Sequence, residues 1–160
     1  MNKKRIGIAA AIAAVLGLGF ILYNQMKYSG EYIPADDEIA LRIQFDTEED
    51  VGLLVYDYSA NGSKQSGGIS NADKSLMKHD ELLIDVWNKE VLQCSADTVE
   101  LSIQFRIITE YVEPNYENIY PEEITKYIDD PISWKAHFGE SYSITITGGK
   151  TNGYKAVLEE

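Results

Sequence analysis

The sequence predicts an all-β fold: an immunoglobulin-like antiparallel β-sandwich of about seven to eight strands, preceded by an N-terminal transmembrane or signal helix. Two observations lead to this prediction. An uninterrupted apolar segment occupies residues 6–23, and beyond residue 38 apolar residues alternate with polar ones along several short segments. A period of two is typical of half-buried strands. The cysteine and tryptophan spacing of antibody domains is absent, so "immunoglobulin-like" refers here only to the layering.

The composition limits the classes of function. The chain has 160 residues, of which 44% are hydrophobic, and this proportion is typical of a folded core rather than a disordered chain. Lys and Arg number 14 against 26 Asp and Glu, a formal charge of −12. A nucleic-acid surface needs cations to neutralise phosphates, so we expect no nucleic-acid partner. The single cysteine, Cys94, excludes an intramolecular disulfide framework.

The N-terminus has the plan of a membrane anchor. Residues 1–5 contain three cations and form a basic n-region, and residues 6–23 are 18 residues without a charge, an amide or a proline. A helix of that length spans about 27 Å, close to the hydrocarbon thickness of a bilayer. Cleaved signal peptides usually have an apolar stretch of about 7–15 residues followed by a small-x-small cleavage site. We therefore predict an uncleaved signal-anchor in the lipid bilayer, with a cleaved signal and a secreted protein as the alternative.

The distribution of positive charge predicts the orientation of the chain. Basic residues precede the apolar segment, so the N-terminus is expected in the cytoplasm and the rest outside it. Residues 24–37 are polar and without a period, and they are interpreted as a linker to an extracytoplasmic β-sandwich domain at residues 38–160. The exported part has 11 basic residues against 26 acidic ones, a net charge of −15.

The first strands are marked by alternation and by turn residues. Residues 46–50 are acidic and predict a turn, and residues 51–58 predict a second strand. Residues 61–62 are Asn-Gly, the strongest short hairpin signal. The glycines at 67–68 interrupt the return strand and indicate a bulge or a close approach of the backbone. The first strand itself has apolar residues at every second position: Ile39, Leu41, Ile43 and Phe45.

The central strands follow the same pattern. Residues 82–87 predict one strand, and residues 98–111 predict the longest, with an apolar face and a polar face. The fragments 41–45 (LRIQF) and 101–105 (LSIQF) nearly repeat, which suggests equivalent strands in two sheets or in two half-motifs. Alternating sequences converge easily, so this similarity does not establish a duplication.

Residues 112–130 break the alternation. Pro121 followed by two glutamates is typical of a helix start, and Ile124, Tyr127 and Ile128 would share one face of a short helix. Three further strands are predicted at residues 132–138, 142–147 and 154–158.

An aromatic cluster in the irregular segment is the candidate binding site. Amphipathic rings beside amide side chains are suited to contact a sugar or a peptide surface. In the alternative interpretation the same rings cover a sheet and anchor a long loop. Trp134 is expected in the core, and Trp87 is expected to be partly exposed because it is out of phase with Val86. The candidate ligand-binding residues are Tyr111, Asn115, Tyr116, Tyr120 and Tyr127.

The sequence contains little evidence of a catalytic site or a metal site. Cys94, His79 and His137 are the only thiol and imidazoles, and no nucleophile signature flanks them. Residues 57–62 match the opening of a calcium loop, but the twelfth position holds Gly68 instead of an acid. We therefore expect no catalytic residue, no metal site and no cofactor. The acidic clusters leave an effect of calcium on stability open, with no ligand set nominated.

The function expected from these features is a non-catalytic protein-interaction module at the cell envelope, tethered to the membrane. Its expected partner is a cell-envelope protein or glycan, in addition to the lipid bilayer contacted by residues 6–23. A secreted carbohydrate-binding module that uses the segment from Tyr111 to Tyr127 is the first alternative. An enzyme with an unrecognised carboxylate site is the second.

Overall fold

A computed structural model describes most of the chain beyond residue 31. The described residues belong to one compact unit, Ile33–Glu160, together with Tyr32. None of their helices is long and apolar enough to cross a membrane. The predicted n-region, the apolar segment 6–23 and most of the predicted linker lie outside the described residues, which are 32–115, 117–128 and 130–159.

The described part of the chain is built of strands. One short 3₁₀ turn, Glu122–Ile124, is the helical element among the described residues. The nine strands, numbered in chain order, are β1 (Glu38–Thr47), β2 (Leu53–Ala60), β3 (Ser63–Ile69), β4 (Leu82–Asn88), β5 (Thr98–Ile108), β6 (Thr125–Tyr127), β7 (Ile132–His137), β8 (Ser141–Gly149) and β9 (Gly153–Leu158).

The strands form two sheets, which confirms the predicted all-β, sandwich-like arrangement. One sheet has the order β4-β1-β8-β9, and the other has the order β3-β2-β5, with β6 and β7 both pairing with β5. The prediction of an entirely antiparallel sandwich is wrong, because β1 and β8 pair in parallel, with Ile43 opposite Ile144. Parallel neighbours need a long crossover, and here the intervening chain supplies the whole second sheet.

The core lies between the apolar faces of the two sheets. Rings from both sheets meet at its centre: Tyr58 stacks on Trp87 with 4.4 Å between centroids, and Tyr56 lies edge-on to Phe105 at 6.1 Å. The expectation that Trp87 is partly exposed is wrong, since only 4% of its surface is accessible. It faces inward because its phase matches that of the buried Leu83 rather than that of Val86. Trp134 is half-buried and packs against the core, as expected.

The two nearly repeated fragments occupy similar positions in different sheets. Residues 41–45 lie in β1, between β4 and β8, and residues 101–105 lie in β5, between β2 and the pair of short strands. Both fragments place three apolar side chains in the core. The suggestion of equivalent strands in two sheets therefore agrees with the architecture.

The helix predicted after Pro121 is limited to a single turn. Thr125–Tyr127 extends instead as β6 and pairs with β5, with Ile108 opposite Thr125. The side chain of Thr125 donates to the carbonyl of Pro121 at 2.8 Å, which closes the turn before the strand begins. Pairing with an available sheet edge satisfies backbone groups that a helix of one or two turns would leave unpaired.

The predicted hairpin turn is confirmed. Asn61 and Gly62 connect β2 to β3 with φ of 48° and 87°, the left-handed region that a two-residue type I′ turn requires. The Asn61 side chain accepts a hydrogen bond from the Glu100 amide at 3.0 Å, so the turn is fixed to β5.

Candidate functional site

A polar groove lies on the outer face of the five-stranded sheet and has a volume of about 560 Å³. The alternation along the strands creates it: Tyr56 and Tyr58 point into the core, so Asp57 and Ser59 point away from it. Neighbouring positions on β3 and β5 add further polar side chains. The groove is lined by Asp57, Tyr58, Ser59, Lys64, Gln65, Ser66, Ser102, Gln104 and Pro131.

An interruption in the edge of the sheet brings the chain to one end of the groove. β6 and β7 pair with successive parts of β5, but the four residues 128–131 between them face only Gln104 and Phe105. The amide of Ile128 donates to the carbonyl of Phe105 at 3.1 Å, and the Gln104 side chain donates to the carbonyl of Ile128. Pro131, which lies just before β7 at this interruption, forms part of the groove wall.

An ion pair borders the groove. The guanidinium of Arg106 lies 3.1 Å from the Asp57 carboxylate and donates to the carbonyl of Asn118 at 3.0 Å. Its carbon lies 5.9 Å from the centre of the Tyr127 ring. The Arg106 side chain is 12% exposed and that of Asp57 is 55% exposed. The buried guanidinium therefore holds a carboxylate that remains accessible from the groove.

Alcohol and amide groups make up most of the remaining lining. The Ser102 hydroxyl accepts a hydrogen bond from Ser133 at 2.8 Å, and the Ser66 hydroxyl accepts one from the Asn118 amide at 3.2 Å. Each hydroxyl retains its own proton for donation. The lining holds no histidine and no cysteine. Its chemistry is that of a surface that forms hydrogen bonds with a ligand.

Two of the candidate tyrosines, Tyr111 and Tyr120, cover the sheet beside the groove. Tyr111 and Tyr120 are half-buried and pack on a second apolar cluster of Leu53, Val55 and Ile108. This cluster lies on the outer face of the same sheet, where the segment 109–124 folds over it. These two rings cover the sheet and anchor a long loop, as the alternative to a binding role predicts. Their contribution to ligand binding stays a prediction.

The other three candidate residues are distributed differently. Asn115 closes the loop on itself, since its side chain donates to the Ile119 carbonyl at 3.1 Å and accepts from the Ile119 amide at 3.3 Å. Tyr127 is 62% exposed and lies beside Arg106 at the border of the groove. Tyr116 lies outside the described residues. Of the four candidates that the structure describes, Tyr127 is the one that lies close to the groove in an exposed position.

Sequence reasoning missed the residues that form the groove itself. Ser102, Gln104 and Arg106 stand out in the sequence only as the polar face of a strand, which is the usual composition of a solvated face. Asp57 likewise stands out in the sequence only as a polar residue of a strand. Pairing with β2 and β3 brings these side chains together, and the sequence does not specify those partners.

Cys94 and Asn61 form contacts that stabilise the β2–β3 hairpin. Cys94 is buried, with its sulfur 3.6 Å from the Asn61 side-chain nitrogen and 3.6 Å from the Thr98 carbonyl. Cys94 therefore fills a small buried position beside the hairpin. Asp57 faces Arg106, whereas Asn61 binds the Glu100 amide, so these two candidate calcium ligands have different partners.

Comparison with known proteins gives no assignment to a family. No family model and no curated protein sequence match this chain. Similar solved structures include a disulfide-locked mutant of intermedilysin with human CD59 (11% identity, TM-score 0.38) and pneumolysin (8% identity, TM-score 0.34). They cover 76% and 77% of this chain, which spans only 24% and 23% of theirs. TM-scores at this level establish neither a common fold nor a shared function.

Proposed function

We propose that the chain is a membrane-tethered, extracytoplasmic module that binds a ligand of the cell envelope without catalysing a reaction. The polar groove is its contact surface. The observation that carries the proposal is the position of the groove: it is a concave, polar part of a sheet face whose other end is covered by the segment 109–124. Clefts with several converging polar groups are the usual form of a ligand site.

The fixed geometry of the groove favours binding. Arg106 is held by Asp57 and by the Asn118 carbonyl, and Gln104 is held by the Ile128 carbonyl. Side chains that are ordered before a ligand arrives lose less conformational entropy on binding. Catalysis would instead call for a nucleophile within reach of a general base. Apart from Tyr58 and Pro131, the lining consists of serines, glutamines, one lysine and one acid held by an arginine.

The N-terminal sequence supports the proposed location. The basic residues 1–5 and the apolar residues 6–23 favour a single membrane crossing that leaves the groove outside the cytoplasm. In the secreted alternative the signal is cleaved, and the same groove faces ligands beyond the cell. Intact masses of the protein from membranes and from medium separate the two. A full-length species in membranes supports the anchor, and a shorter species in medium supports secretion.

Site-specific photo-crosslinking in living cells tests the groove. The full chain is produced with p-benzoylphenylalanine in place of Ser59 or, separately, Ser102. A matched control carries it in place of Ser143, which lies on the outer face of the other sheet. Benzophenone inserts into C–H bonds of proteins and sugars alike. We expect irradiation to give one discrete adduct from both groove positions and none from the control.

Two results would contradict the proposal. Adducts of the same size and yield from all three positions would indicate collision without a specific site. Repeated irradiation without any adduct from the groove positions, in cells where the chain is present at the membrane, would show that the groove is unoccupied.

A further inference from the structure

We infer that the ligand of the groove is a neutral sugar chain. This inference rests on the proposed function, because it assigns a chemical class to the ligand of the same site. Three features favour it: hydrogen-bonding groups with free capacity, an acid whose charge is neutralised by an arginine, and an exposed ring at the border.

The free hydrogen-bonding groups of the groove include both donors and acceptors. Ser59 and Lys64 line it, and neither side chain has a hydrogen-bond partner within the described part of the chain. Gln104 donates through its nitrogen to Ile128, which leaves its side-chain oxygen as an acceptor. Each sugar hydroxyl donates one hydrogen bond and accepts others, so a sugar chain uses such a mixed surface more fully than an apolar peptide would.

The charges at the groove disfavour strongly charged polymers. Asp57 and Arg106 neutralise each other, so together they present a dipole rather than a net charge. An acidic polymer would meet the repulsion of an exported part with a net charge of −15. A basic polymer would meet Lys64 in the lining and the guanidinium at its border. A neutral, polar ligand encounters neither penalty.

Exposed apolar side chains lie beside the polar groove. Tyr127 is the cross-strand neighbour of Arg106 and is 62% exposed. Ile119, which is 70% exposed, follows Asn118, whose carbonyl also binds Arg106. Sugar rings carry hydroxyls at their rim and C–H groups on their faces. An exposed aromatic face beside converging polar groups is therefore complementary to a sugar ring.

Calorimetric titration of the full chain tests the inference. The chain is held in phosphocholine micelles, because glucoside or maltoside detergents would themselves offer sugars to the groove. The probes are maltohexaose, cellohexaose and chitohexaose, three neutral oligosaccharides of different linkage and substitution. We expect at least one to bind. Tyr127→Ala should weaken that binding by about tenfold, Ser59→Arg should abolish it by filling the groove, and Ser143→Arg on the other sheet should leave it unchanged.

The outcomes separate this inference from the proposed function. Binding of no neutral probe, combined with a groove adduct in cells that protease removes and periodate leaves intact, would mean a protein ligand and overturn the sugar inference alone. Binding that persists in Ser59→Arg would place the sugar elsewhere and overturn it as well. A periodate-sensitive adduct supports it, and protease digestion or lipid extraction then tells whether the sugar belongs to a glycoprotein, a glycolipid or a free polysaccharide. Absence of both an adduct and sugar binding would overturn both proposals.

Discussion

At the scale of single residues, acidic side chains that the sequence suggests are solvent-exposed make specific contacts at the corner between β1 and β2. Glu48 accepts a hydrogen bond from the Asn152 side chain at 3.0 Å, and Glu49 accepts one from the Lys150 amide at 2.7 Å. Asp50 accepts from Lys78 at 2.8 Å and from the His79 amide at 3.0 Å. These carboxylates fix the corner to the β8–β9 turn and to the segment before β4.

The contact of Asp50 with His79 predicts a pH dependence of stability. Hydrogen bonds from Lys78 and His79 hold the pKa of Asp50 well below its usual range, and Asp50 raises the pKa of His79 above its ordinary value of 6.5. The contribution of Asp50 to the stability of the fold is present above the ordinary pKa of an aspartate and is lost in strong acid. That of His79 is complete below pH 6.5 and is lost as the pH rises through its folded-state pKa.

Thermal melts of a fragment comprising residues 33–160 measure this effect. As the pH rises above 6.5, the midpoint should fall more steeply with pH in the natural sequence than in His79→Gln, because the raised pKa of His79 makes its contribution disappear there. Asp50→Asn should flatten the same part of the curve. Equal slopes in all three proteins would show that the contact makes no contribution to stability.

Gly67 is required where the backbone of β3 passes the Tyr56 ring. A Cβ atom at Gly67 would lie 2.6 Å from a ring carbon of Tyr56, which confirms the close approach expected at this glycine. Gly67→Ala should lower the free energy of unfolding by about 1–3 kcal/mol, because the ring has to leave its packed position. Urea denaturation of fragment 33–160 measures the loss.

A double-mutant cycle identifies the cause of that loss. In a Tyr56→Leu background the loss of unfolding free energy caused by Gly67→Ala should fall to less than half, because the ring carbon that the new Cβ would meet is absent. Gly68→Ala serves as the matched control, because its nearest neighbour is the Leu54 carbonyl at 3.2 Å, a smaller overlap. An unchanged cost in the Tyr56→Leu background would mean that strain in the backbone of β3, and not the ring, is responsible.

At the scale of elements, the segment 109–124 divides the outer face of the five-stranded sheet into a covered part and an open part. Tyr111, Val112, Tyr120 and Ile124 pack on the apolar cluster of Leu53, Val55 and Ile108. Lys74 forms an ion pair with Glu113, so the loop before β4 also holds the segment. The groove begins where the segment 109–124 ends its contact with the sheet. The shape of the groove therefore depends on the packing of this segment.

Tyr120 and Tyr127 are expected to have different roles. Tyr120→Ala should cost about 1–2 kcal/mol of stability and speed amide exchange in the segment 109–124, because its half-buried ring anchors the cover. Tyr127→Ala should cost less than about 0.5 kcal/mol, since its ring is exposed. Urea denaturation and hydrogen exchange of fragment 33–160 check both. A larger loss for Tyr127→Ala than for Tyr120→Ala would contradict the assignment of one ring to folding and the other to binding.

At the scale of the whole molecule, the described core and ladders are confined to residues 38–158. The sandwich has β1 and β5 as interior strands, each supported on both sides within its own sheet. The residues beyond 23 carry a net charge of −15, which opposes compaction and favours solubility, so the apolar core has to outweigh that repulsion.

Fragment 33–160 should therefore fold by itself. We expect a far-ultraviolet circular dichroism spectrum of β type and one cooperative unfolding transition in urea, because the buried clusters of the described residues lie within the fragment. A disordered spectrum, with folding restored only in the full chain, would contradict this expectation and would assign part of the core to the N-terminal segment.

The sequence by itself determined the fold class, most strand positions and the hairpin turn at residues 61–62, because alternation and turn chemistry are local properties of the chain. At residues 67–68 it left a bulge and a close approach open, and the structure shows the close approach at Gly67. The membrane segment predicted at residues 6–23 lies outside the described residues and stays a prediction. Only the tertiary structure decided the parallel pairing of β1 with β8, the burial of Trp87, the end of the predicted helix after one turn, and the groove. Alternation specifies which face of a strand is buried but not its neighbour or its direction. The groove depends on those neighbours, since β2, β3 and β5 each contribute polar side chains that only pairing brings together.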